Sequence, residues 1–278
     1  MLFNYLKENL NLFKRTNKEE IFEIPWNEMQ VFFVEWTSKR LGISKDEAKA
    51  RYEASWATFE GGHKGAEFRD FNIKSYSLYG VFVGDRAEEV YDSYKVHGNM
   101  HFLRMLSYGD SYLHPEHEVI SALSQKKTVR ILDFGCGLAK NAIKAAEILS
   151  SMNVSVELFL CDISTLRKDF LISFCKEKHI KMEFLDCTQE NPFPIAESLD
   201  LIIATEVFEH IHDPLSLLKK FHCAMNIDSY LLTNIADHKE EFMHVSPNLE
   251  SLRKKLFDLS YFESKKYYRY KKVVDKEF

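Results

Sequence analysis

Glycine is scarce and unevenly placed. Ten glycines occur in 278 residues and none follows Gly137, so the second half of the chain makes every turn without one. Cysteine is sparse too. The five (Cys136, Cys161, Cys175, Cys187, Cys223) are odd in number, scattered, and contain no Cys-x-x-Cys. That excludes a disulfide framework and a structural zinc site, and predicts reduced thiols in a cytoplasmic setting. Positive charge is not in excess. Lys and Arg number 37 against 42 Asp and Glu, a net charge of -5, which gives no global drive toward nucleic acid or an anionic membrane. No apolar run approaches the roughly 18 residues of a membrane span. The first ten residues, Met1 to Leu10, carry charge too early for the apolar centre of a signal peptide. Internal repeats and low-complexity segments are lacking as well.

What is present is enough for a real core: 45% of residues are hydrophobic and 14% aromatic. The pattern divides near residue 125. Residues 1–125 read as a helical cap that shapes an acceptor-binding region. An aromatic-rich helix over 26–40 stops at Gly42. Ser44 and Glu47 form a capping box for a helix to about Phe59. Further helices are predicted over 85–96, 99–108 and 115–123. The loop Gly61 to Gly65 follows no strand and reads as a connection rather than a phosphate cradle.

Residues 126–278 alternate short apolar runs with helices. Strands are predicted over 129–133, 156–161, 182–185, 199–204 and 230–233. Helices are predicted over 139–149, 165–178 and 214–225, the last capped by Asp213-Pro214, and another opens at Ser246-Pro247 and runs to about Leu259. This alternation predicts an α/β fold: a doubly wound, Rossmann-like, mostly parallel sheet. The tail from Glu263 to Val274 reads as a terminal antiparallel pair, with tyrosines packed inward and lysines solvated.

Ligands of such sheets bind beyond the carboxyl ends of the strands. The first strand runs Ile131-Leu132-Asp133-Phe134 into the turn Gly135-Cys136-Gly137, the last two glycines of the chain. Glycines there let backbone approach a ligand closely. The second strand ends at Asp162, near the spacing at which an acid reaches ribose hydroxyls. The third ends at Asp186-Cys187, where the carboxylate can accept from an exocyclic amine of adenine, and the fourth runs into Thr205-Glu206. Lys140, three residues after Gly137, crowds a pyrophosphate and speaks against a dinucleotide.

This series resembles the class I S-adenosylmethionine-dependent methyltransferases. Residues 131–137 look like their first motif, Asp162 like their ribose acid, Asp186-Cys187 like their adenine-contacting pair, and Asp200 to Pro214 like the strand-four motif of their small-molecule branch. The resemblance implies a seven-stranded sheet whose last strand is antiparallel. It implies S-adenosylmethionine held by Asp133, Gly135, Cys136, Gly137, Asp162, Ile163, Asp186, Cys187, Thr205 and Glu206, with S-adenosylhomocysteine as product. Ala139 stands where the family often has a third glycine.

Methyl transfer asks the protein to align a nucleophile, exclude water and, where needed, take up a proton. Candidate groups are Glu206, His210 and His238, with His212 and His244 nearby. Glu206, Glu209 and His210 would share one face of a helix beginning at Glu206. Such a Glu-x-x-Glu-His set resembles a metal site in small-RNA 2′-O-methyltransferases and in ubiquinone-pathway O-methyltransferases. The simpler reading is a site without metal in which these acids serve a helix start. The expected reaction is methylation of an O or N nucleophile on a small-molecule acceptor by a monomer or homodimer, with neither nucleic acid nor membrane as partner. The alternatives are aminocarboxypropyl transfer or cyclisation from the same cofactor, an RNA methyltransferase, and a silent cofactor-binding partner.

Overall fold

The computed structural model describes residues 26–50, 52, 105–106, 117–163, 166–188, 190–235, 237, 246, 248–263 and 269–278. The loop predicted over 61–65, the helix predicted over 85–96, and His238 and His244 lie outside these residues.

Seven strands form one sheet: β1 (Thr128–Phe134), β2 (Ser155–Ile163), β3 (Met182–Cys187), β4 (Leu199–Ala204), β5 (Met225–Thr233), β6 (Tyr261–Glu263) and β7 (Arg269–Lys272), in the order β3-β2-β1-β4-β5-β7-β6. The first five run parallel, and β7 pairs antiparallel with both β5 and β6. β5 begins five residues earlier than predicted because the helix before it ends at Ala224. Strand order reverses between β1 and β4, which opens a crevice at their carboxyl ends.

Alternation along the strands sorts side chains into two cores, one per face. Ile131, Leu158, Leu160, Leu201 and Ile203 face one cluster; Leu132, Phe159, Cys161, Ile202 and Ala204 face the other. The first is covered by α1 (Glu28–Leu41), α2 (His117–Leu123), α3 (Lys140–Ser151) and α4 (Leu166–Glu177). The second is covered by α5 (Pro214–Ala224) and α6 (Glu250–Asp258). α1 joins the first core through aromatics: Phe32 meets Phe170 and Phe174 edge-on, and Trp36 meets Phe170. It starts with a capping box of Asn27 and Gln30 and stops at Gly42, whose φ is 65°. Ser44 accepts from the Glu47 N–H and opens the next helical stretch, residues 45–50.

Two helix starts test the cap signals. Asp213 accepts from the Ser216 N–H at 3.0 Å, as Asp-Pro predicts. Ser246-Pro247 does not cap α6, which begins at Glu250 after Leu249. Ser246 is drawn elsewhere: its hydroxyl donates to Ile211 O at 2.7 Å and its N–H to Glu209 O at 2.9 Å. The tail forms the predicted antiparallel pair with Tyr270 buried, but Lys272 is buried beside it rather than solvated. Its ammonium donates to His222 O and Met225 O and pairs with Asp275. The described residues include no helix long and apolar enough to cross a membrane.

Candidate active site

Three strand ends converge at the crevice. β1 ends in the glycine turn, with φ of 66° at Gly135 and 53° at Gly137, a conformation that costs a side chain roughly 1–2 kcal/mol. The Gly135 and Cys136 N–H groups donate to Cys161 O at 2.8 and 3.1 Å, so the turn is hung from the end of β2. A Cβ on Gly135 would lie 2.7 Å from Val207 Cγ2, and one on Gly137 would lie 2.2 Å from Met105 Cε. α3 follows directly. Ala139, at the place of the expected third glycine, takes a left-handed φ of 52°, and the helix begins at Lys140. The Lys140 ammonium donates to Leu106 O at 3.3 Å, an oxygen that also accepts from Asn27 Nδ2. The lysine that speaks against pyrophosphate thus ties residues 105–106 to the turn.

Asp162 closes β2 and reaches back to the turn: its Oδ2 accepts from the Gly137 N–H at 2.9 Å and its Oδ1 from the Ile163 N–H at 2.7 Å. Arg167 of α4 stands 3.4 Å from Oδ2. Asp186 is in register with Asp162 on the next strand. Its Oδ2 accepts from Lys168, while its Oδ1 is buried and has no hydrogen-bond partner among the described residues. Asp133 is buried behind the turn, and burial, then the charge of Asp162, drives its carboxyl well above the ordinary carboxylate range. Burial likewise pushes the Cys136 and Cys161 thiols up; Cys161 and Cys187 touch sulfur to sulfur at 3.4 Å.

Across the crevice, β4 gives way to a bend rather than the expected helix. Thr205 is half-buried and Glu206 is exposed with a φ of 54°; a single 3-10 turn follows over Phe208–His210. Glu206, Glu209 and His210 therefore do not share a helix face: Glu209 is fully buried and His210 half-buried. The left-handed Glu206 reverses the chain before a helix can start. It is held by Asn234 at the end of β5, which accepts from the Glu206 N–H and donates through Nδ2 to its carboxylate. Among the described residues no group of three or more His, Cys, Asp or Glu is placed to hold a metal.

The crevice thus offers a glycine cradle, an acid fixed by two N–H groups, and a buried carboxylate oxygen with no donor among the described residues. Sequence reasoning overlooked Arg167, Asn234, Met105 and Val207. Asn234 carried a weak signal, since it opens the glycine-free turn after β5. Arg167, one of several charged residues in an amphipathic helix, carried none.

Comparison with curated proteins finds no match. Solved structures that resemble the chain include a SAM-dependent methyltransferase from Aquifex aeolicus (16% identity over 53% of this chain and 80% of that one, TM-score 0.39). Another is a putative class I S-adenosylmethionine-dependent methyltransferase from Listeria monocytogenes (14% identity, 88% and 87% covered, TM-score 0.43). A third is the [4+2]-cyclase SpnF (14% identity, 63% and 73% covered, TM-score 0.43). The sequence profile of the methyltransferase domain matches residues 105–263, from Met105 through the glycine turn and both acids to the end of β6. That span is more than half of the chain, which therefore belongs to the methyltransferase domain family and uses S-adenosylmethionine as its cofactor.

Proposed function

We propose that this enzyme methylates an O or N nucleophile of a small-molecule acceptor, with residues 126–278 binding the cofactor and residues 1–125 covering it and selecting the acceptor. The observation that carries the reading is the joint placement of the glycine turn, Asp162 and Asp186 at three neighbouring strand ends. When bound, the cofactor supplies a methyl group already activated by its sulfonium. The chain's own task is then to orient and enclose. Backbone at Gly135 and Gly137 admits the methionine part, Asp162 accepts from the ribose diol, and Asp186 Oδ1 accepts from the adenine amine. Cys136, Ile163, Cys187 and Thr205 line the same edge. Alignment can contribute about 7–11 kcal/mol.

Proton uptake from the acceptor falls to the loop after β4. Glu206 is exposed there with its backbone pinned by Asn234, and His210 lies four residues on. His238 is the third proposed group. The net charge of -5 favours a small acceptor over RNA.

The test is calorimetric titration of the full chain with S-adenosylmethionine, combined with product analysis. S-Adenosylhomocysteine is the expected product; methylthioadenosine would indicate aminocarboxypropyl transfer instead. Gly135→Val and Asp162→Ala are expected to lower cofactor affinity at least about a hundredfold, by forcing the glycine turn out of place against Val207 and by removing hydrogen bonds to a charged group. Unchanged affinity in both variants would sink the reading.

A further inference from the structure

We propose that Arg167 is the positioning residue of the cofactor acid: its guanidinium braces the Asp162 carboxylate that meets the ribose diol, and ties that acid to Met105 and the glycine turn. The inference rests on the methyltransferase reading of the site.

Arg167 is the second residue of α4 and Lys168 the third. Two cations in a first helical turn oppose the helix macrodipole, so something outside the helix sets their place. For each it is a strand-end acid: Arg167 faces Asp162 and Lys168 faces Asp186. The two pairs differ. The Arg167 and Asp162 side chains are only 11% and 15% exposed, against 26% and 35% for the Lys168 pair. An enclosed pair is screened far less by solvent and salt.

The geometry compensates charge without closing the acceptor. A carboxylate offers about four lone-pair sites. Two are taken by the Gly137 and Ile163 N–H groups, one on each oxygen, and these fix the plane of the group. Arg167 Nη2 stands 3.4 Å from Oδ2, beyond a full hydrogen bond, so each oxygen keeps a site for one hydroxyl of a cis-diol.

The rest of the guanidinium looks the other way. Nη1 donates to Met105 Sδ at 3.4 Å and lies 3.7 Å from where a Cβ on Gly137 would be. One planar group thus meets the cofactor acid, the glycine turn and residue 105. A fork spans such a junction and a point charge does not.

The experiment measures affinity of the full chain for S-adenosylhomocysteine and for its 2′-deoxy and 3′-deoxy counterparts. Wild type is expected to bind each deoxy ligand about tenfold or more weakly, since each lacks a hydrogen bond to a charged acceptor. In Arg167→Gln that preference should fall below about threefold, and Arg167→Lys, a point charge without the fork, should recover only part of it. A merely structural arginine would weaken all three ligands by one factor, so an unchanged preference in Arg167→Gln overturns the proposal. Failure of Arg167→Gln to fold, with Arg167→Lys behaving as wild type, overturns it too, because the pair would then serve folding. Wild type that binds no S-adenosylhomocysteine strikes instead at the methyltransferase reading.

Discussion

The two glycines of the turn share a backbone conformation and differ in what stands above them. At Gly135 an added Cβ meets Val207 Cγ2, a branched side chain in the packed core; at Gly137 it meets the terminal methyl of Met105. A methionine end swings aside at little cost, and a buried valine does not. Both substitutions carry the left-handed penalty of about 1–2 kcal/mol. Gly135→Ala adds overpacking of roughly 1–3 kcal/mol. Denaturant titration should therefore find Gly135→Ala the less stable of the two by at least about 1 kcal/mol. Adding Val207→Ala should recover part of the steric excess in Gly135→Ala but none of the loss in Gly137→Ala. Equal losses in the two single variants would show that Val207 yields as readily as Met105. At this scale the sequence was informative about backbone and acids and silent about contacts. Two glycines close together with none after them marked the turn, and strand-end position marked Asp162 and Asp186. Nothing local to Arg167 or Met105 tells that they meet 62 residues apart in the chain.

Elements were readable where their cause is local. β4 was predicted at its observed bounds because its run of apolar residues is buried on both faces. α5 followed from its Asp-Pro start. Where a distant partner decides, the pattern misled: Ser246 is recruited by Ile211 and Glu209, and a left-handed Glu206 tied to Asn234 replaces the expected helix. The tail is a third such element. His222 of α5 donates from Nε2 to Lys276 O at 2.7 Å, so in its neutral form Nδ1 is the acceptor for the Tyr261 hydroxyl at 3.1 Å. Lys272 donates to the His222 carbonyl, while Asp275 lies on Lys272 and Lys255 stands nearby. Burial, opposed by the bond to Lys276, lowers the imidazole below its ordinary 6.5. The unfolded chain then takes the proton first as pH falls. The stability this histidine contributes is full above about 6.5 and is lost as pH drops through that value toward the folded one. Urea midpoints should fall between pH 7.5 and 5.5 by more in wild type than in His222→Gln, a difference that cancels the titration of other groups, Asp133 included. Parallel slopes would remove the tail from the acid response.

On the scale of the whole molecule the fold class followed from alternation alone, since two-sided burial of five parallel strands needs helices on both faces. How α1 shares a core with α4 did not, because aromatic spacing tells that a helix is buried and not against what. The thiols report on this body as a unit. Cys223 is exposed, whereas Cys136, Cys161, Cys175 and Cys187 are buried. Burial raises the first three of these, Cys175 to about 12, so almost no thiolate is present at neutral pH even where reagent could enter. A thiol-reactive disulfide such as Ellman's reagent should titrate one cysteine rapidly in the native chain and five in guanidinium. The slow four wait on opening of the sheet. A ligand bound at the turn opposes that opening by mass action, by about a hundredfold when present at a hundred times its dissociation constant. S-Adenosylhomocysteine should therefore slow the slow phase by up to that factor and leave Cys223 untouched, because modifying Cys223 requires no opening. A second rapid thiol would place part of the buried set at the surface. A rapid phase slowed by ligand would mean instead that cofactor binding covers the end of α5, on the face of the sheet opposite α3 and α4.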